Sequence, residues 1–217
     1  MKTVLIISGG MDSTTLLYDL KHQGYEIRAL SFNYGQRHKK ELDYAAKSCS
    51  VLKVDHKIVD LSAITPLISN SALTGNVDVP EGHYEDESMK VTVVPNRNSI
   101  MLAIAVGWAE NLKYQSVSIA NHAGDHAIYP DCRPEFITAF SLAEQLGTYN
   151  KIRINAPYAD LTKGQIAGIG LDFGIDFEKD TWSCYKGEKK HCGKCGTCVE
   201  RGLALEEARL RFGKKNS

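Results

Sequence analysis

The sequence lacks an excess of charge of either sign, and it has no long apolar run. Its 217 residues include 26 basic and 26 acidic side chains, so the formal net charge is zero. A broad basic surface, which stable binding to nucleic acid requires, is therefore not expected. The longest apolar run, Ile100–Ala109, has ten residues, about half of the roughly 20 that a membrane-spanning helix needs. We expect a globular protein that binds neither a membrane nor, stably, nucleic acid.

The sequence also lacks the apolar core of a signal peptide, because only the four residues Val4–Ile7 are apolar in a row before Ser8. We therefore expect a cytoplasmic protein, whose thiols stay reduced. Four of the six cysteines nevertheless lie within fifteen positions, namely Cys184, Cys192, Cys195 and Cys198. In a reducing compartment this spacing predicts a metal site, and a closed set of four thiolates is typical of structural Zn²⁺. An iron–sulfur cluster uses the same ligands and is the alternative.

Short apolar runs alternate with amphipathic segments along most of the chain. The predicted strands cover Thr3–Ile7, Ile27–Phe32, His56–Val59, Ser116–Ala120 and Ile152–Asn155. The predicted helices cover Ser13–Gln23, Gln36–Leu52, Asn98–Asn111, Pro134–Leu146 and Lys163–Phe173. This alternation predicts an α/β, doubly wound fold with a mainly five-stranded parallel sheet, helices on both faces and right-handed crossovers. The last forty residues predict a small four-cysteine zinc module and a terminal helix.

A glycine- and serine-rich turn follows the first predicted strand, with the sequence Ser8-Gly9-Gly10-Met11-Asp12-Ser13-Thr14. A doubly wound sheet has its anion site at this position, since the amide groups and the dipole of the next helix point at the turn. A carboxylate beside bound phosphate requires a bridging cation, so Asp12 indicates Mg²⁺. The turn matches neither the Walker loop nor the G-x-G-x-x-G motif.

Three other polar segments follow strands or enter a helix, and they cover residues 33–38, 94–98 and 125–133. Because ligands of open α/β sheets bind beyond the carboxyl ends of the strands, we expect these segments to converge on the phosphate turn. The alternative for each segment taken singly is a solvated loop.

The turn carries the complete S-G-G-x-D-S fingerprint of the PP-loop ATP pyrophosphatase superfamily. With the other segments the chain closely resembles the 7-cyano-7-deazaguanine (preQ0) synthase family over nearly its whole length. The segments that carry the resemblance are Ser8–Thr14, Tyr34–His38, Val94–Asn98, Tyr129–Arg133 and 181–187 with the three later cysteines. The sequence departs from the family pattern at Asn96, where many members have Gly, and at Ala127-Ile128, where many have Ser-Gly.

The resemblance implies an adenine nucleotide alpha hydrolase-like, Rossmann-like fold and a ligase that depends on ATP and Mg²⁺. It implies conversion of 7-carboxy-7-deazaguanine and ammonia to the nitrile through acyl-adenylate, amide and adenylated-amide intermediates. It also implies bound zinc and a homodimer. We therefore expect an ATP-binding domain over residues 1–183, with a long loop at 60–95 that is a lid or a solvated insertion. The zinc module and terminal helix, residues 184–217, are expected to pack on the same domain.

Candidate nucleotide-binding residues follow from this assignment. Ser8, Gly9, Gly10, Met11, Asp12, Ser13 and Thr14 are expected to hold pyrophosphate and Mg²⁺. The superfamily resemblance implies that adenine is read by backbone groups at Leu30 and Phe32. Gln36, Arg37 and His38 are expected to lie over the adenosine or its phosphates. Lys163, at a helix start, is the candidate for neutralising the phosphates; an exposed first-turn lysine is the alternative.

Candidate substrate residues lie in the remaining segments. Arg97 and Arg133 have the forked geometry that binds a carboxylate or the α-phosphate, or they form structural ion pairs. Asp125 and Asp131 are suited to accept hydrogen bonds from a guanine-like base, or they cap a turn or helix. Tyr129 lies between them in the same segment.

Other functions fit parts of the pattern. A related amidoligase would stop at the amide or use another amine. A PP-loop tRNA-modifying enzyme would need a basic surface and a sulfur-carrying cysteine. A zinc module that only binds nucleic acid would leave the phosphate turn without a role.

Overall fold

Five parallel strands form one sheet in this computed structural model, which describes residues 1–36, 39–68, 71–74, 80–83, 87–186 and 190–212. The strands are β1 (Lys2–Ile6), β2 (Glu26–Asn33), β3 (Asp55–Asp60), β4 (Ser116–Ser118) and β5 (Arg153–Asn155). Their order in the sheet is β3-β2-β1-β4-β5. The chain therefore runs outward to one edge and then returns beside β1. This confirms the predicted parallel, doubly wound sheet.

The helices lie between and after the strands. They are α1 (Met11–His22), α2 (Lys40–Val51), α3 (Thr65–Ile68), α4 (Arg97–Asn111), α5 (Pro134–Gly147), α6 (Lys163–Asp172), α7 (Phe177–Asp180) and α8 (Gly196–Phe212). The bounds of α1, α4, α5 and α6 are within two residues of the predicted ones, α2 begins at Lys40 and not at Gln36, and α3 and α7 were not predicted. Three short 3₁₀ helices cover Glu87–Thr92, Ala123–Ala127 and Pro130–Cys132.

The central strand β1 is buried on both faces because its neighbouring residues point into different cores. Val4 packs in the core that contains Leu102 of α4 and Ile137 of α5. The next residue, Leu5, packs in the core formed with α1, α2 and α6. A strand covered on both faces has a continuous apolar sequence, which is why β1 is recognisable in the sequence.

The terminal helix α8 packs along α6. Ala204 and Ala208 of α8 share a buried cluster with Ala167 of α6, so the small side chains let the two helices approach closely. At the start of α6 the sequence Thr162-x-x-Gln165 forms a capping box, since the Thr162 side chain accepts from the backbone amide of Gln165 and the Gln165 side chain accepts from the backbone amide of Thr162. This cap fixes where α6 begins, and Lys163 is its first residue.

The segment from Asp60 to Pro95 is more ordered than a solvated insertion would be, in the parts that the structure describes. It contains α3 and the 3₁₀ helix at Glu87–Thr92. Ala72, Leu73 and Met89 are buried within it. A lid function for residues 60–95 stays a prediction.

Gly9 adopts a left-handed conformation with φ of 84°, and a Cβ atom there would overlap the carbonyl oxygen of Glu41 on α2. Gly174 has a similar φ of 74° but open space around it.

We predict that Gly9→Ala lowers the free energy of unfolding by at least about 2–3 kcal/mol, because it adds a clash to a conformational cost of about 1–2 kcal/mol. The matched variant Gly174→Ala should lose only the conformational part. Urea unfolding measures both, and equal losses would contradict the close packing at Gly9.

Candidate functional site

The phosphate turn lies at the carboxyl end of β1 and leads directly into α1. Gly10 is the N-cap of α1 and no side chain caps the helix there, so first-turn amides remain available to a ligand. Within the turn, the Ser8 and Ser13 hydroxyl oxygens lie 3.0 Å apart, and the Gly10 amide donates to Ser8 Oγ at 3.2 Å. Amides and hydroxyls grouped at a helix N-terminus are the features of an anion site, and binding of phosphate there stays a prediction.

One cavity extends from this turn across the ends of β1, β2 and β4. The residues expected from the sequence that line it are Ser8, Gly10, Met11, Asp12, Ser13, Phe32, Arg97, Asp125, Tyr129 and Lys163. The three polar segments therefore converge on the phosphate turn, as their positions after the strands predict.

Lys163 lies in this cavity between two carboxylates. Its Nζ is 3.1 Å from Asp12 Oδ2 and 2.8 Å from Glu200 Oε2, and the lysine side chain is only 11% exposed. Lys163 is therefore not an ordinary exposed first-turn lysine. The other oxygen of Asp12, Oδ1, is buried and has no hydrogen-bond partner among the described residues.

His122 lies next to Lys163 and its two carboxylates, and it is fully buried. Its Nδ1 accepts from the amide of Gly124 at 3.1 Å, so the neutral ring carries its proton on Nε2. Nε2 lies 3.6 Å from Asp125 Oδ1, 3.8 Å from Glu200 Oε1 and 3.9 Å from Asp12 Oδ2. The site thus has three carboxylates around one lysine and one histidine, a set of oxygen donors that can hold a cation.

The far half of the cavity is aromatic. Phe32, Tyr34, Tyr129 and Tyr185 line it together with Arg97. Burial raises the pKa of Tyr34 to about 12, although the nearby Arg97 guanidinium opposes the shift. Arg97 Nη1 lies 3.5 Å from the Tyr34 hydroxyl. Flat aromatic walls beside a guanidinium suit a planar ligand that carries an anionic group.

Of two expected nucleotide residues, Gln36 holds the loop after β2 and Leu30 is part of the sheet. The Gln36 side-chain oxygen Oε1 accepts from the backbone amide of Tyr34 at 2.8 Å. Its Nε2 donates to the backbone carbonyl of Phe32 at 3.1 Å. The Leu30 carbonyl accepts from the Ile7 amide at 2.9 Å. Among the described residues that line the cavity, neither Gln36 nor Leu30 is present. Arg37 and His38 lie outside the described residues.

Asp131 and Arg133 are placed beside the cavity without lining it, within the part of the chain that the structure describes. Asp131 Oδ2 accepts from the backbone amide of Asn98 at 2.9 Å. Asn98 is in the first turn of α4, so this contact is the helix cap that was the alternative to a substrate role. Arg133 Nε donates to the His126 carbonyl at 3.0 Å. The substrate-binding roles of both residues stay predictions.

Asn96 precedes α4 with φ of 55°, a left-handed conformation that Gly and Asn adopt most readily. Asn is therefore compatible with a position at which Gly is expected from the family resemblance. Cys132 lines the cavity, but burial raises the pKa of its thiol. It is held as a thiol that accepts from Asn98 and is poorly suited to act as a nucleophile.

The four clustered cysteines form a second site, next to the first. Their Sγ atoms all lie within 4.8 Å of one another, and those of Cys192 and Cys198 are 3.9 Å apart. Four thiolates at Zn–S distances of about 2.3 Å would have sulfurs about 3.8 Å apart. The amides of Lys194 and Cys195 face the Cys192 sulfur at 3.5 and 3.3 Å. The cluster can hold a tetrahedral metal ion.

Trp182 joins the cysteine cluster to the phosphate turn. Its amide donates to the Gly9 carbonyl at 2.9 Å, and its ring packs with Cys184 and Cys195. Lys40 Nζ lies 3.6 Å from the centroid of the ring. The residues that sequence reasoning missed are Tyr34, Glu41, His122, Trp182, Tyr185 and Glu200. The only signal in the sequence was that some of them lie in or near recognised motifs. The sequence does not show which of these side chains come into contact in the fold.

The sheet order and the glycine-serine turn define an α/β protein of the PP-loop class. Two solved structures share the fold. The U34-tRNA thiolase NcsA from Methanococcus maripaludis aligns with a TM-score of 0.52 at 16% identity, over 98% of this chain and 72% of that one. The NH3-dependent NAD synthetase from Campylobacter jejuni aligns with a TM-score of 0.50 at 20% identity, over 100% and 79%.

The chain belongs to the family described as queuosine biosynthesis protein QueC, whose model matches residues 2–209. Curated relatives carry the name 7-cyano-7-deazaguanine synthase. The one from Methanoregula boonei is 53% identical over 96% of this chain and 95% of its own length. The one from Hahella chejuensis is 54% identical over 95% and 89%. In the described residues there is no helix with the length and apolarity to cross a bilayer.

Glu41 gives the site a pH-dependent group. Burial in the cavity wall raises its pKa from 4.5 to about 7, and the hydrogen bond from Gln36 opposes the shift. Between about pH 5 and 7 the folded protein therefore binds a proton that the unfolded chain has lost. The free energy of unfolding should fall as pH rises through this window, by at most about 1.4 kcal/mol per pH unit.

Glu41→Gln should remove this pH dependence of the free energy of unfolding. Relative to wild type, the variant should therefore become more stable as pH rises from 5 to 7, and the difference between the two should level off above that range. Urea unfolding at several pH values measures it. The control is Asp43→Asn, which changes an exposed carboxylate of the same helix. A difference between Glu41→Gln and wild type that does not change with pH would contradict the raised pKa.

Proposed function

We propose that this chain converts 7-carboxy-7-deazaguanine, ammonia and ATP into 7-cyano-7-deazaguanine. The observation that carries the proposal is Lys163 held 3.1 Å from Asp12 at a PP-loop turn, in a chain whose relatives are named for this synthase. A cytoplasmic location of the enzyme is part of the proposal.

The reaction requires removal of two oxygens from a carboxylate, and two rounds of adenylation balance it. In the first, the substrate carboxylate attacks the α-phosphate of ATP, which gives an acyl-adenylate and pyrophosphate. Ammonia then displaces AMP and leaves the amide. In the second, the amide oxygen attacks another ATP, pyrophosphate leaves, and loss of AMP and of protons from nitrogen forms the nitrile. Each round needs a site that holds pyrophosphate while charge develops on it.

The residues of the cavity can provide that site. The turn amides at the start of α1 and the hydroxyls of Ser8 and Ser13 would bind the phosphates. Lys163 would stabilise the negative charge that builds on the departing pyrophosphate. Arg97, with its guanidinium on the cavity wall, would orient the substrate carboxylate, and Tyr129 would pack on the base. Asp125 would accept hydrogen bonds from the guanine-like edge.

A magnesium ion fits the observed donor set. Asp12 Oδ1 is buried and unpartnered among the described residues, and hard oxygen donors are the ligands that Mg²⁺ takes. When bound, Mg²⁺ would neutralise the phosphates beside three carboxylates. The cysteine cluster fits Zn²⁺ in the same sense, as a closed structural site with no position for water.

A homodimer is part of the proposal. Apolar side chains are exposed at the C-terminal end of α5. Leu146 is 80% exposed, and Tyr149, two residues beyond the helix, is fully exposed. A second copy of the chain would cover them. Light scattering on the purified protein measures the mass directly.

Asp12→Asn should leave the fold intact, because it is isosteric, and should lower turnover at least about 100-fold by removing the cation ligand. The measurement is mass spectrometry of the product from 7-carboxy-7-deazaguanine, ammonium and Mg–ATP, with AMP counted. Wild type should give the nitrile with two AMP per product. The control is Asp172→Asn, an exposed carboxylate at the end of α6. An amide as the sole product would overturn nitrile formation in favour of the amidoligase alternative.

The purified chain should contain one zinc ion, measured by mass spectrometry of the metal content. Cys195→Ala should lose it and, because a structural zinc contributes about 10 kcal/mol to folding, should unfold far more easily. Cys49→Ala is the matched control, since Cys49 is a buried core residue distant in sequence from the cluster. Iron with inorganic sulfide in place of zinc would show the iron–sulfur alternative to be right.

A further inference from the structure

Helix α8 places one carboxylate, two residues after a cysteine of the cluster, against Lys163 of the cavity wall. Cys198 lies in the first turn of α8, and Glu200 follows two residues later. Glu200 Oε2 is 2.8 Å from Lys163 Nζ and Oε1 is 3.8 Å from His122 Nε2, and the side chain is only 15% exposed. Glu200 is thus held by Lys163 through Oε2, and its Oε1 faces His122.

The backbone at the base of Lys163 lies against α8. Gly164 contacts the Glu207 side chain, and Ala167 of the same helix packs with Ala204 and Ala208 of α8. Because Lys163 is the first residue of α6, the spacing of α6 and α8 sets the distance from its ammonium to Glu200. The conformation of the four-carbon lysine side chain is then restricted by the carboxylates of Asp12 and Glu200.

We propose that Glu200 is a positioning residue that acts through Lys163. It holds the lysine ammonium at the edge of the phosphate turn, where the proposed function requires pyrophosphate to lie. Without Glu200, the ammonium would lose the shorter of its two carboxylate contacts and regain side-chain freedom. That freedom would have to be lost again when a phosphate ligand binds. The cysteine module, through α8, thereby contributes to the reaction site as well as to folding.

Calorimetry of Mg–pyrophosphate binding tests the proposal without turnover, so it stays informative if the substrate is a different acid. Glu200→Gln should weaken binding roughly tenfold, and in a Lys163→Ala background the same change should alter binding less than about twofold. Glu200→Asp keeps the charge but shortens the side chain by one methylene, so it should also weaken binding if position matters. Glu206→Gln, an exposed glutamate of the same helix, is the control.

Turnover gives the second readout. Glu200→Gln should lower kcat by roughly tenfold or more while the KM for the carboxylate substrate stays within about twofold, because Lys163 acts on the departing pyrophosphate. Three results overturn the proposal. These are unchanged or tighter pyrophosphate binding by Glu200→Gln, wild-type binding by Glu200→Asp, and an equal loss with or without Lys163. Circular dichroism and unfolding of each variant separate these outcomes from loss of the fold.

Discussion

A lysine held between two carboxylates is the interaction on which the rest of the site depends. Lys163 comes from the start of α6, Asp12 from the turn before α1 and Glu200 from α8. These three elements are far apart in the sequence, and buried ion pairs tolerate little displacement because an unpaired buried charge is costly. The pairing therefore requires that the sheet, the helices on one face and the cysteine module all be in place together.

The cavity divides into two chemically different halves. One half is charged and lies at the phosphate turn, where free amides, Asp12 and Lys163 suit a polyphosphate with a cation. The other half is aromatic and contains the Arg97 guanidinium. A reaction between a nucleotide and a planar carboxylate needs both halves on one continuous surface, so that the two reactants meet where the halves join. Trp182 supports that junction, because it hydrogen-bonds to the turn and packs on the cysteines.

Sequence reasoning succeeded where the information is local. The apolar strand β1, the glycine-serine turn, the Thr162 capping box and the four-cysteine spacing are each specified by neighbouring residues. It was least informative about polar groups that have two possible partners. Asp131 accepts from the first-turn amide of Asn98 and Gln36 holds its own loop, while a ligand-binding role for either residue stays a prediction. A capping carboxylate and a ligand-binding carboxylate look alike in a sequence, because both need only an acceptor near free N–H groups.

The sequence by itself determined the α/β alternation, the position of the glycine-serine turn and the family. These follow from periodicity and from short motifs whose geometry is set within a few residues. The tertiary structure alone decided which charged groups meet. Glu41 lines the cavity, while His122 and Glu200 contact Lys163 of its wall. These residues lie on separate elements, and only the order of the strands and the packing of α8 on α6 bring them together. Burial there also sets their chemistry, since the loss of water around a carboxyl such as Glu41 depends on every element that packs over it.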